Sequence, residues 1–178
     1  MSRQKVFGSA LVVISVALVA GSVWFTLRKA EQERIAALPF TQIMDAGEGT
    51  YTDIDGAARS LDEYKGKRVL MVAWASWCPQ CGEQLGMLAR VSQESGTSLP
   101  ILAVNRKEPH ETAQRYLDVV GRHDRLVYLI DTADHAFKIS EGFAMPEFVI
   151  YESDGSELFH ARGTLTESEL RALFEAYR

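Results

Sequence analysis

The chain has 178 residues, a net charge of −5 and two cysteines, with a pI near 5.4. An acidic balance without a basic stripe argues against nucleic-acid binding, and two cysteines are too few for a disulfide framework. With the N-terminal segment set aside, about 140 residues remain, enough for one domain with a core of its own.

Val6 to Leu27 (VFGSALVVISVALVAGSVWFTL) runs 22 residues without a charge. At about 1.5 Å per residue that length crosses a hydrocarbon layer about 30 Å thick. We expect residues 1–5 as a cytoplasmic n-region, 6–27 as an uncleaved transmembrane signal anchor with Trp24 and Phe25 at its interfacial end, 28–39 as a stalk, and 40–178 as one folded domain. The rival is a cleaved signal peptide with Arg3 and Lys5 as its n-region and Ser15-Val16-Ala17 as a weak cleavage site. Arg3 and Lys5 precede the span while Arg28, Lys29 and Arg34 follow it, so flanking charge leaves orientation open. A hydrophobic N-terminal segment before one long domain works as an export signal, which points the domain to the extracytoplasmic side.

Ala30 to Leu38 continues a helical pattern that Pro39 stops. Phe40 to Thr50 reads as an irregular lead-in, Thr52 to Gly56 as a D-G turn between short strands, and Leu61 to Lys67 as a helical turn closed by Gly66. Arg68 to Trp74 is a buried strand, followed by a helix from Pro79 to Glu94 that tolerates proline in its first turn. A second buried strand at Leu99 to Val104, a helix at Glu108 to Val120, a strand at Arg125 to Ile130 and a short helix at Ala133 to Ile139 follow. Glu147 to Tyr151 and Glu157 to Ala161 flank Ser153-Asp154-Gly155 as a hairpin, and Thr166 to Arg178 is an amphipathic helix behind a Thr-Glu-Ser-Glu cap. This order implies an α/β fold, a mixed central sheet flanked by helices.

Cys78 and Cys81 stand in Trp77-Cys78-Pro79-Gln80-Cys81, where a strand pattern gives way to a helix pattern. Two cysteines with two residues between them at such a junction match a thioredoxin-type redox pair. A zinc site would need further ligands, and His110, His123, His135 and His160 lack the H-x₃₋₅-H spacing. A purely structural disulfide is disfavoured because so short a loop removes little entropy from the unfolded chain. At a helix N-terminus the free N–H groups and the dipole favour a thiolate, so Cys78 is the expected exposed nucleophile, with a pKa below the free value of about 8.5. Cys81, more buried, is the expected resolving thiol. No cofactor beyond the Cys78–Cys81 couple is expected, and a second thiol donor, membrane-embedded or soluble, must return it to the dithiol.

Asp53-Ile54-Asp55-Gly56, Leu61 to Lys67 (LDEYKGK), Val69 to Cys81 (VLMVAWASWCPQC) and Met145 to Gly155 (MPEFVIYESDG) resemble the membrane-anchored thioredoxin-like proteins of the TlpA/ResA type, which include the cytochrome c maturation thioredoxins. The resemblance covers essentially the whole chain. It implies a thioredoxin fold, a domain facing the periplasm or the outer face of a Gram-positive membrane, and disulfide exchange with protein substrates. It also implies a cis peptide at Met145-Pro146 beside the dithiol, where a substrate strand would dock. Trp77 would shape the surface next to Cys78, whereas Trp74 reads as packing.

Three positions depart from the family pattern: Val72 stands where thioredoxins carry a buried Asp, Gln84 where many ResA-type proteins carry Glu, and Gly86 where a helix proline is usual. The familiar proton acceptor for Cys81 is therefore absent. Glu147, directly after Pro146, is the candidate replacement, with a surface strand position as its other reading; Glu83 reads as solvated. The functional expectation is a membrane-tethered thiol-disulfide oxidoreductase acting as a reductase. The alternatives are a disulfide donor and, in another class, a non-catalytic factor that holds unfolded partners. A peroxidatic cysteine would need Thr-x-x-Cys, which Ala75-Ser76-Trp77-Cys78 lacks, and a copper chaperone of the related type would want C-x₃-C.

Overall fold

The structure is a computed structural model in which residues 19–30, 43, 51–139 and 144–177 are described. The chain divides into two units, Met1–Ala37 and Leu38–Arg178. In the first, residues 19–30 are helical, and the Arg28 guanidinium lies 4.3 Å from the Trp24 ring centre. Among the described residues no helix is long and apolar enough to cross a membrane. The expected span over 6–27 falls mostly on residues outside that set, as do the n-region, much of the stalk and nearly all of the 40–50 lead-in.

The second unit is built on β1 (Val69–Trp74), β2 (Ile101–Arg106), β3 (Val127–Asp131), β4 (Glu147–Tyr151) and β5 (Glu157–Arg162). The strand order is β3-β2-β1-β4-β5. β1 pairs in parallel with β2, and β2 with β3, while β4 runs antiparallel to both β1 and β5. Parallel neighbours need crossovers, and α1 (Cys81–Ser95) and α2 (His110–Val120) supply them. The antiparallel pair closes tightly, with Gly155 at φ 86° letting its N–H donate to Glu152 O at 2.8 Å. α3 (His135–Ile139) leads toward β4, and α4 (Glu167–Ala176) ends the fold.

β1 is central and all six of its residues are buried, which is why it reads as a continuous apolar run rather than an alternating one. Its side chains still alternate between two cores. Leu70, Val72 and Trp74 join Leu85, Leu88, Leu117, Phe148, Ile150, Leu170 and Phe174 on one face, together with Cys78 and Cys81. Val69 and Met71 join Tyr64, Leu102, Val104, Leu129, Val149 and Tyr151 on the other.

Most elements fall within two residues of their expected bounds, and three local readings change. The Thr52 segment makes isolated bridges to Ala58 and Ile130 in place of short strands. Asp62–Tyr64 is a single 3-10 turn. The first long helix begins at Cys81, with Gln80 as its N-cap, so Pro79 lies in the preceding turn and not in the helix. At the far end the cap reading holds: Thr166 and Glu169 form a reciprocal capping box that starts α4.

Candidate active site

β1 delivers the chain to the turn Ala75–Cys78, closed by the Cys78 N–H donating to Ala75 O at 3.2 Å. A second turn follows at once, with the Cys81 N–H on Cys78 O at 3.2 Å, and α1 then propagates from Gln80 O, which accepts from the Gln84 N–H at 3.0 Å. These consecutive turns place both sulfurs at the N-terminal end of a fifteen-residue helix, where a thiolate is favoured. Cys78 and Cys81 are disulfide-bonded, with Cα atoms 5.4 Å apart.

Both cysteines are buried, Cys78 at 2% and Cys81 at 0% exposure. The expectation of an exposed Cys78 is thus corrected for the oxidised form: the turn folds its side chain into the α1 core, and the neighbouring Trp77, 58% exposed, presents the surface instead. Trp74 packs as read. Its ring stacks on Tyr116 and meets Tyr128 edge-on, and its indole N–H donates to Ala103 O at 3.1 Å. Burial pushes the Tyr128 phenol up to about 12.

The Met145–Pro146 peptide is cis. Pro146 is buried, and Met145 is half-buried against the core that holds both cysteines. The Pro146 carbonyl accepts from the Gly163 N–H at 2.9 Å, fixing the proline to the strand beside it. Pro79 and Gln80 are exposed between the cysteines. Gln80 also borders a groove of about 320 Å³ formed with Glu83, Gln84, Met87 and the 164–166 loop.

Gln84, in the place of the family acid, acts as a latch. Its Nε2 donates to Leu165 O at 3.1 Å and its Oε1 accepts from the Leu165 N–H at 3.0 Å, tying α1 to the loop before α4. Glu83 is exposed, as read.

Glu147 is neither a surface residue nor on the dithiol face. It is 2% exposed, and the alternation along β4 sends it to the side of Val149 and Tyr151, opposite Phe148 and Ile150, which pack with the cysteines. There its Oε1 binds His160 Nε2 at 2.5 Å and Arg162 Nε at 3.2 Å, both side chains coming from the paired strand β5. A carboxylate engaged on the far face is poorly placed to take a proton from Cys81.

The buried acid nearer the dithiol turn in the chain of contacts is Glu108, 6% exposed. It accepts from the Ser76 N–H at 2.8 Å, the Ser76 hydroxyl at 2.5 Å and Asn105 Nδ2 at 2.7 Å. Sequence reading had missed Ser76, Asn105 and Glu108. The one visible signal was Asn105, a polar residue ending an otherwise apolar strand.

A C-x-x-C disulfide at the N-terminal end of a helix, reached directly from the central strand of this mixed sheet, fits a thioredoxin-like thiol-disulfide oxidoreductase. The chain matches the Redoxin family over residues 37–173 and belongs to it. Among curated relatives, it is 25% identical over 130 residues to the thiol-disulfide oxidoreductase ResA of Geobacillus thermodenitrificans, covering 71% of this chain and 72% of that one. It is 26% identical over 107 residues to the thiol:disulfide interchange protein CycY of Rhizobium leguminosarum, covering 60% and 56%. The fold superimposes on a secreted Mycobacterium tuberculosis disulfide oxidoreductase homologous to Escherichia coli DsbE, with a TM-score of 0.61 at 19% identity over 71% of this chain and 94% of the other. These similarities are to ResA-type thioredoxin-like proteins.

Proposed function

We propose that this protein is a membrane-tethered reductase of extracytoplasmic protein disulfides, with haem-attachment cysteines of c-type cytochromes as its client class. The observation that carries the redox reading is the Cys78–Cys81 disulfide at the start of α1. The uncharged run from Val6 to Leu27 supports tethering and export, and the ResA and CycY relatives support the client class.

In the working direction the Cys78 thiolate attacks one sulfur of a client disulfide, forming a mixed disulfide and releasing a client thiolate that takes up a proton. The Cys81 thiolate then attacks Cys78 Sγ, expelling the second client thiol. The client gains two electrons and two protons, and Cys78–Cys81 becomes the disulfide. A dithiol donor reached from the membrane side reverses that last state. Met145, ahead of cis-Pro146, offers its backbone to the client strand, and Trp77, Pro79 and Gln80 form the surface it meets.

Trapping tests this. In cells expressing the full-length Cys81→Ser protein, a mixed disulfide through Cys78 to an extracytoplasmic client with paired cysteines should accumulate, and Cys78→Ser should trap none. Equal trapping by both variants, or by neither, would contradict the assignment.

A further inference from the structure

We propose that Glu108 is a positioning residue of the Cys78–Cys81 couple: its buried carboxylate fixes the Ala75–Cys78 turn through Ser76 and supplies a negative charge that disfavours the Cys78 thiolate and holds the couple toward the disulfide. The proposal rests on Cys78 and Cys81 being the reacting pair. It does not depend on which direction the enzyme works.

The geometry has two parts. Ser76 is the second residue of the turn that ends at Cys78, and Glu108 binds it twice, at the backbone N–H and at the hydroxyl. The third bond, from Asn105 Nδ2, ties the carboxylate to the end of β2, and register pairs Asn105 with Trp74, the residue just before the turn. The carboxylate thus joins the ends of the two central strands to the segment that aims Cys78. Unlike Glu147, it is held by neutral donors, and among the described residues no lysine, arginine or histidine forms an ion pair with it.

A four-residue turn spans less than about 7 Å between its end Cα atoms. The Glu108 carboxylate is bonded to the backbone N–H two residues ahead of Cys78, on that short turn. Burial weakens screening, so like charges at this separation oppose each other. The helix N-terminus favours the Cys78 thiolate and Glu108 opposes it. The other titratable groups on the segments that meet the turn include Arg106 at the end of β2, paired with Asp134 at 2.9 Å, Lys107 and His110 beside Glu108 in the chain, Tyr116 of α2, stacked on Trp74, and Glu83, exposed on α1, while Glu147 lies on the opposite face.

Glu108→Gln removes the charge while its amide can keep all three bonds: the carbonyl oxygen accepts from Ser76 N–H and Asn105, and the Ser76 hydroxyl turns to accept from the new NH₂. In the full-length chain, this variant should lower the pH midpoint of Cys78 alkylation by at least about half a unit. At a pH above both midpoints, where Cys78 is ionised in either protein, it should also move the equilibrium of the disulfide plus two glutathione against the dithiol plus oxidised glutathione by about threefold toward the dithiol. Ser76→Ala keeps the charge and loses one bond, so it should leave both readings near wild type. In unsubstituted protein the Glu108 carboxyl carbon resonance should shift as Cys78 ionises, a reading that needs no variant to fold. An unchanged midpoint and equilibrium in Glu108→Gln, the same shifts in Ser76→Ala, or a Glu108 resonance blind to Cys78 would each overturn the proposal. The wild-type equilibrium value judges the reductase reading separately.

Discussion

Glu108 and Glu147 are both buried acids close to the central strand, and the fold uses them in opposite ways. Glu147 follows the cis-proline in sequence, yet pleating turns it to the far face, where His160 and the Arg162 guanidinium from β5 bind it. Glu108 lies a sequence separation of 32 from Ser76, yet the parallel β1–β2 register brings it onto the dithiol turn, where only neutral donors hold it. A charge paired on the far face serves stability. One left electrostatically open beside a reactive sulfur acts on chemistry.

That contrast can be broken hardest at the sulfurs. Cys78→Ser should reduce disulfide exchange to background in an insulin or client-peptide reduction assay, because the one cysteine left, Cys81, is 0% exposed and out of reach of a client disulfide. On the opposite face, Glu147→Ala should cost about 2–3 kcal/mol in urea unfolding, since it removes the buried carboxylate that binds both His160 and Arg162 and leaves a gap in its place. Its couple should equilibrate with glutathione as wild type does. A shifted equilibrium there would join the two faces that the structure separates.

A smaller effect comes at Gln84. Its paired bonds to Leu165 are neutral, so Gln84→Ala should lower stability by about 1–2 kcal/mol in the same measurement and leave the alkylation midpoint of Cys78 unmoved. Smallest of all is the surface network between α1 and α4. Arg90 and then Arg171, hydrogen-bonded to Glu167, hold its carboxyl down at about 2. A depressed acid contributes stability that is present above its ordinary pKa and is lost as pH falls through the folded value. Arg90→Ala should therefore diminish the loss of thermal stability between about pH 4.5 and pH 2. Because these groups lie at the solvent-accessible surface, added salt should erase most of the difference.

What could be read in advance follows from how local each signal is. β1 and the C-x-x-C turn were legible because a strand buried on both faces is apolar throughout and the spacing of the cysteines is itself the chemistry. β4, from Glu147 to Tyr151, and the Thr166 cap were legible for similar reasons, since alternation, turn residues and capping are written within a few positions. The helix start moved from Pro79 to Cys81 because two consecutive turns precede it, and proline suits a turn as well as a first helical position. The burial of Cys78 depends on how the turn packs against the α1 core, which no window of sequence contains. The roles of the two acids are hidden for the same reason: the face Glu147 occupies does not follow from its neighbour Pro146, and Glu108 touches the site only through β-sheet register.

The most direct test of the account is the reduction potential of the Cys78–Cys81 couple in the full-length protein, equilibrated in glutathione or dithiothreitol buffers. A reductase requires a value toward the thioredoxin end, about −250 mV or lower, whereas a value near about −120 mV would make the protein a disulfide donor and contradict the direction proposed here.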